Sequence, residues 1–180
     1  NNQARLASCS RDKTVQVWHP FDRVDETQVF NHSEEIETIS AFHNTHASRR
    51  LLCASSKALS ILDPLETKLL QSVKVSLPVL RSRPLLATFD VNGRAQLAVP
   101  VIDDDAYTIS IYDLAEDDIL FLRKIKLDSL NALCSFVDTT GAVRLAFTSD
   151  HSIQIWDPVD GEQLQSHDVH QAFRSNAMTS

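Results

Sequence analysis

The sequence predicts an all-β fold built from repeated four-stranded antiparallel sheets, and three observations carry that prediction. First, four seven-residue segments align without gaps, at residues 14–20, 58–64, 108–114 and 152–158. Their fifth positions, Trp18, Leu62, Tyr112 and Trp156, lie 44, 50 and 44 residues apart. Second, each segment alternates with period two. Val15/Val17, Leu59/Ile61, Ile109/Ile111 and Ile153/Ile155 point to one face, and the large fifth residue points to the other. Such alternation with β-branched enrichment marks a strand, not a helix. Third, the 3 glycines, Gly93, Gly141 and Gly161, all fall where a turn is expected, and no stripe of helical period appears.

Each aligned segment reads as the third of four strands. A second-strand run precedes it at residues 5–10, 50–55, 95–101 and 143–149. In the last three units an inner run comes earlier still, at 36–42, 84–90 and 130–137. A more polar outer run follows, at 27–30, 68–73, 119–125 and 163–169. Turn chemistry joins the runs, as in Asp90-Val91-Asn92-Gly93, Thr139-Thr140-Gly141 and Asp157-Pro158-Val159-Asp160-Gly161. A period of about 40–45 residues with four strands per unit is the signature of a β-propeller. The expected architecture is therefore a β-propeller of four-stranded antiparallel blades, with about four blades present. The single segment 1–180 divides into units 1–31, 32–75, 76–126 and 127–170 and a stub 171–180.

Two of the units carry a more specific pattern. Ser10-Arg11-Asp12-Lys13-Thr14-Val15-Gln16-Val17-Trp18 and Ser149-Asp150-His151-Ser152-Ile153-Gln154-Ile155-Trp156-Asp157 resemble the WD-repeat signature, the second including the closing Trp-Asp. Asn31-His32 and Ser166-His167 stand where that family places a Gly-His pair. The other two units are degenerate: Leu62-Asp63 and Tyr112-Asp113 replace Trp-Asp, and Ser56 and Ala106 replace the turn Asp. The resemblance implies that Asp12 acts with Trp18, and Asp150 with Trp156, in a hydrogen-bonded chain that also uses a loop His and a strand Ser or Thr. His32 would serve that chain, although no unit shows the full set. These five residues are expected to be structural, since a nearly buried indole N–H needs a partner.

Composition narrows the function. The formal net charge is −7, which argues against nucleic acid or an anionic membrane as the main partner, because phosphate binding rests on clustered Lys and Arg. No apolar run approaches the roughly 20 residues of a bilayer span. Cys9, Cys53 and Cys134 are odd in number, show no CxxC spacing and lie in strand-like apolar runs. They are expected to be buried reduced thiols, and the chain cytoplasmic or otherwise intracellular.

No catalytic or metal motif emerges. His43/His46 and His167/His170 lack partner ligands, and Asp103-Asp104-Asp105 reads as a solvated turn without a calcium-loop pattern. No cofactor and no metal are expected. The positive expectation is an interaction rim. In the family, loops joining second to third strands and outer to inner strands crowd one edge of the propeller. Here those loops carry Arg11, Lys13, Lys57, Asp103, Asp104, Tyr107 and His151, together with His32, Glu34, Glu35, Arg81 and Arg83. Mixed charges on loops of a rigid scaffold suit selective protein contact.

The resulting expectation is a non-catalytic scaffold or sensor module that binds proteins or peptides, part of a larger signalling or regulatory protein. An enzyme with a site in the central channel is the alternative, with Glu37, Thr38, Ser40, Cys134 and Ser135 on the inner strands. Nucleic-acid binding ranks last. The chain is expected to be an excerpt of a longer propeller, prone to self-association through open edges. A closed four-bladed ring is the other arrangement, with 171–180 supplying an inner strand beside 5–10.

Overall fold

The computed structural model describes residues 5–18, 27–66, 68–75, 86–103, 106–114 and 118–169. The stub 171–180, Asp104, Arg81 and Arg83 lie outside the described residues. Fifteen strands and no helix are found among the described residues. The first sheet holds β1 (Leu6–Cys9), β2 (Thr14–Trp18) and β3 (Gln28–Asn31). The second holds β4 (Thr38–His43), β5 (Arg49–Ala54), β6 (Ala58–Asp63) and β7 (Lys68–Lys74). The third holds β8 (Ala87–Val91), β9 (Arg94–Asp103), β10 (Ala106–Asp113) and β11 (Leu120–Leu127). The fourth holds β12 (Ala132–Val137), β13 (Val143–Thr148), β14 (Ser152–Asp157) and β15 (Glu162–Asp168). Every sheet is an antiparallel meander in chain order, as the repeat demands.

The register repeats as faithfully as the sequence. Leu6 lies opposite Trp18, Leu51 opposite Leu62, Leu97 opposite Tyr112, and Leu145 opposite Trp156. Just before the large residue of the last three sheets, the pairing to the outer strand slips, at Ile61/Leu62, Ile111/Tyr112 and Ile155/Trp156. In each case the outer strand has one extra residue, Leu70, Leu122 or Leu164. A bulge of this kind sharpens local twist, so each sheet bends at the same place.

The sheets bury their faces against one another, and the cores lie between them. One core joins Phe42, Leu52, Leu59 and Ile61 of the second sheet to Ala95, Leu97 and Val99 of the third. Another joins Phe89, Ala98, Ile109 and Ile111 of the third to Leu133, Leu145 and Phe147 of the fourth. The third joins Val15, Val17 and Phe30 of the first to Leu51, Cys53 and Leu62 of the second. The first strands of successive sheets lie side by side. Ser40 Oγ on β4 is 2.9 Å from Thr88 Oγ1 on β8, and Ser135 on β12 donates to the Thr88 carbonyl at 2.9 Å. Among the described residues no closed ring of sheets is formed. Leu6 at one end and Ile153 at the other remain 49% and 40% exposed.

Three details correct the sequence reading. The inner runs begin later than expected: Ile36 and Leu130 are buried, but in loops ahead of β4 and β12. Their hydrophobicity marks burial, not strand. Asp103 and Tyr107 are strand residues, because β9 and β10 run nearly to the hairpin tip, and Tyr107 packs half-buried on the third–fourth sheet core. The cysteines are free as expected, but only Cys53 is buried. Cys9 is half-buried and Cys134 exposed, since β12 presents it on the uncovered face of the fourth sheet.

Candidate functional site

The turns between second and third strands of the first, second and fourth sheets are tied to the loops beside them. Each of these three turns is built on a serine. Ser10 Oγ accepts from Asp12 N, Ser55 Oγ from Lys57 N and Ala58 N, and Ser149 Oγ from His151 N and Ser152 N. A short hydroxyl side chain can satisfy turn amides this way without help from distant structure. In the first sheet Asp12 adds a second clamp, accepting from Thr14 N at 2.9 Å and Thr14 Oγ1 at 2.7 Å. Those bonds, the Thr14 hydroxyl first, hold its carboxyl below its ordinary value. Lys13 takes a left-handed conformation, φ 70°, which the clamp supports.

The neighbouring outer-to-inner loops bond onto these turns. His32 N donates to Lys13 O at 2.7 Å and Ile36 N to Ser10 O at 3.3 Å. Val75 N donates to Lys57 O, and Val169 N to His151 O. In the fourth sheet Asn131 Nδ2 donates to Asp150 Oδ1 at 2.9 Å. Lys57 Nζ stands 3.8 Å from Glu34 Oε2, with both side chains open to water. Arg11, Lys13, Glu35 and His151 are likewise exposed. These contacts hold Arg11, Lys13, Glu34, Glu35 and Lys57 on the turns and loop of the first two sheets and His151 on the turn of the fourth, while Tyr107 turns toward the core.

The hydrogen bonds of the signature residues differ from the implied chain. His32 Nδ1 accepts from Glu34 N, so its Nε2 carries the proton toward Ser60 Oγ at 3.0 Å, and Ser60 donates on to Ser72. This relay runs from the loop across the second sheet. Trp156 Nε1 donates to Gln154 Oε1 at 3.2 Å, so its partner is a residue of its own strand rather than Asp150. Trp18 is half-buried at the end of β2.

Sequence reasoning missed a second recurring device at the opposite rim. In the last three sheets the aspartate that closes the third strand pairs with an arginine at the start of the second. Arg50 NH1 meets Asp63 Oδ2 at 2.9 Å, Arg94 NH2 meets Asp113 Oδ2 at 2.6 Å, and Arg144 NH1 meets Asp157 Oδ2 at 2.6 Å. The same aspartates cap their turns, Asp63 accepting from Leu65 N and Glu66 N, and Asp157 from Val159 N and Asp160 N. The thirteen-residue spacing of Arg50–Asp63 and Arg144–Asp157 was the available signal. Between the first two sheets this rim also holds a cleft of about 920 Å³, lined among others by Arg5, Leu6, Phe42, Arg49, Leu65 and Glu66.

Ser40 and Ser135 link adjacent sheets through Thr88. Among the described residues no cluster of three or more His, Cys, Asp and Glu side chains could hold a metal. Neither a family model nor a curated protein matches the chain.

Proposed function

We propose that the chain is an arc of a WD-type β-propeller and works as a non-catalytic protein-interaction module, with the serine-built rim as its contact surface. The observation that carries the reading is the pinning of the rim turns. Their backbones are held by side chains and by the next loop, so Arg11, Lys13, Lys57, Glu34 and His151 project from a base that loses little entropy on binding. Interspersed charges of both signs give selectivity and encounter rate, and a partner surface of complementary charge pattern fits them. Stacked sheets with adjoining first strands support the propeller reading, and three free thiols suit a reducing, intracellular setting. Affinity capture with the wild-type chain and with Arg11→Glu/Lys13→Glu tests it. The variant should keep the wild-type melting curve and lose bound protein. Capture unchanged by the double substitution contradicts the rim assignment.

A further inference from the structure

The outer strands of the last three sheets pair with their third strands in one register around one bulge, so their residues correspond position by position. Two of them are ordinary solvated edges. Opposite the closing aspartate stands Lys68 in β7 and Glu162 in β15, and the later exposed positions are Ser72 and Lys74 in β7, Ser166 and Asp168 in β15. In β11 the first of these positions is Leu120, and the later ones are Lys124 and Lys126. Leu120, Phe121 and Leu122 are 49%, 54% and 41% exposed, a run of three large apolar residues open to water that neither sister strand repeats. Phe121, Lys124 and Lys126 lie opposite Tyr112, Ser110 and Thr108, alternate residues of β10, and so share one face. The Phe121 ring is steadied edge-on against Tyr112, with centroids 5.9 Å apart. The third sheet has a neighbour on each face, so its outer edge looks sideways out of the stack. Among the described residues no strand pairs with the outer side of β11.

We propose that β11 takes an extended segment of a partner protein as one more strand, with acidic side chains on alternate residues opposite Lys124 and Lys126 and an apolar side chain opposite Phe121. An edge strand directs backbone N–H and C=O groups outward at alternate residues, a template on which another strand can pair. Lysines along the edge keep out a second basic strand, another β11 included, whereas opposite charges directly across a strand pair stabilise it. Covering the run 120–122 supplies the apolar contribution, and contiguous apolar exposure of this kind marks contact surfaces where scattered leucines do not. An anionic bilayer also suits lysines beside leucines, but it offers no backbone to the edge and is repelled by the formal net charge of −7. The site uses none of the rim residues, so it stands or falls separately from the binding reading above.

Fluorescence anisotropy of a labelled peptide tests it, the probe being alternating valine and glutamate with a leucine pair at each end, so that either strand direction is served. The wild-type chain should bind this peptide. It should bind a version with lysine for glutamate, or with proline for valine, roughly 10-fold more weakly or worse, because the first meets like charge and the second lacks the N–H groups that pair with the edge. Lys124→Glu/Lys126→Glu should weaken the glutamate peptide by roughly 10-fold or more and strengthen the lysine peptide. Phe121→Ser should weaken the glutamate peptide. These positions are exposed, and a wild-type melting curve checks that each variant folds; Lys126→Glu and Leu120→Ser are the replacements if it does not. Hydrogen exchange should slow at the amides of β11 when the peptide is added, but not at those of β7 or β15. Arg11→Glu/Lys13→Glu should leave peptide binding unchanged. No binding by the wild type, equal binding of the proline peptide, indifference to the charge reversal at β11, loss of binding in the rim variant, or a preference for phosphatidylserine vesicles over the peptide overturns the proposal.

Discussion

Arg144 holds two carboxylates at once, Asp138 through Nε at 2.9 Å and Asp157 through NH1 at 2.6 Å, with its side chain 17% exposed. Removing it leaves two partly sheltered charges without their partner. Arg144→Ala should therefore lower the midpoint of a urea unfolding curve. Asp138 also accepts from Thr140 Oγ1, Thr140 N and Ala142 N. The Thr140 hydroxyl first, then those amides and the Arg144 charge, bring its carboxyl down from 3.8 to about 2. The folded state thus favours the ionised form. Its contribution is complete above the ordinary value of 3.8 and is lost as pH falls from there to about 2. Carboxyl titration followed by NMR should show this, and Arg144→Ala should shift the Asp138 midpoint upward. Burial, with the nearby Cys9 adding to it, pushes the Cys53 thiol up to about 12. Native protein should accordingly label quickly at exposed Cys134 and far more slowly at Cys53 with a thiol reagent. Equal rates at both would mean that the first–second sheet core is open.

At the scale of elements, equivalent positions permit a controlled comparison. Leu97 and Leu6 occupy the same register site, but Leu97 is fully buried and Leu6 is half open to water. Leu97→Ala should cost about 3 kcal/mol and Leu6→Ala under about 1 kcal/mol in a dilute monomer. Equal costs would contradict the stacking order. Gly141 closes the β12–β13 hairpin at φ +84°, with nothing within 4 Å of where a Cβ would stand. Gly141→Ala should thus cost about 1 kcal/mol, from backbone strain alone. Much of this level was legible in the sequence. Third strands were found because Val15/Val17 and their equivalents alternate cleanly, and second strands because they are short apolar runs bounded by turns. Inner strands were placed two residues early because Ile36 and Leu130 are apolar for packing while their backbones belong to loops. Outer-strand bulges at Leu70, Leu122 and Leu164 left no pattern that period-two reading can detect.

Over the whole molecule, local patterns say less than the order in which sheets cover one another. The sequence marks which residues turn inward, but not that Leu6 and Ile153, apolar like their equivalents, are exposed where those equivalents are buried. It set Arg11, Lys13, Lys57 and His151 in turns because turn position follows from strand order. It misplaced Tyr107 because the length of the β9–β10 hairpin is a property of pairing rather than of composition. The Arg–Asp pairs escaped notice because each joins residues on two strands that meet only once the sheet forms. The account rests on successive sheets standing side by side with their first strands together. Oxidation of the double variant Ser40→Cys/Thr88→Cys, followed by peptide mapping, tests this most directly, because those two hydroxyls lie 2.9 Å apart on β4 and β8, within a disulfide's reach. A bond between residues 40 and 88 formed in high yield is the predicted result. Its absence under conditions that oxidise exposed thiols would show that the second and third sheets do not meet along their first strands.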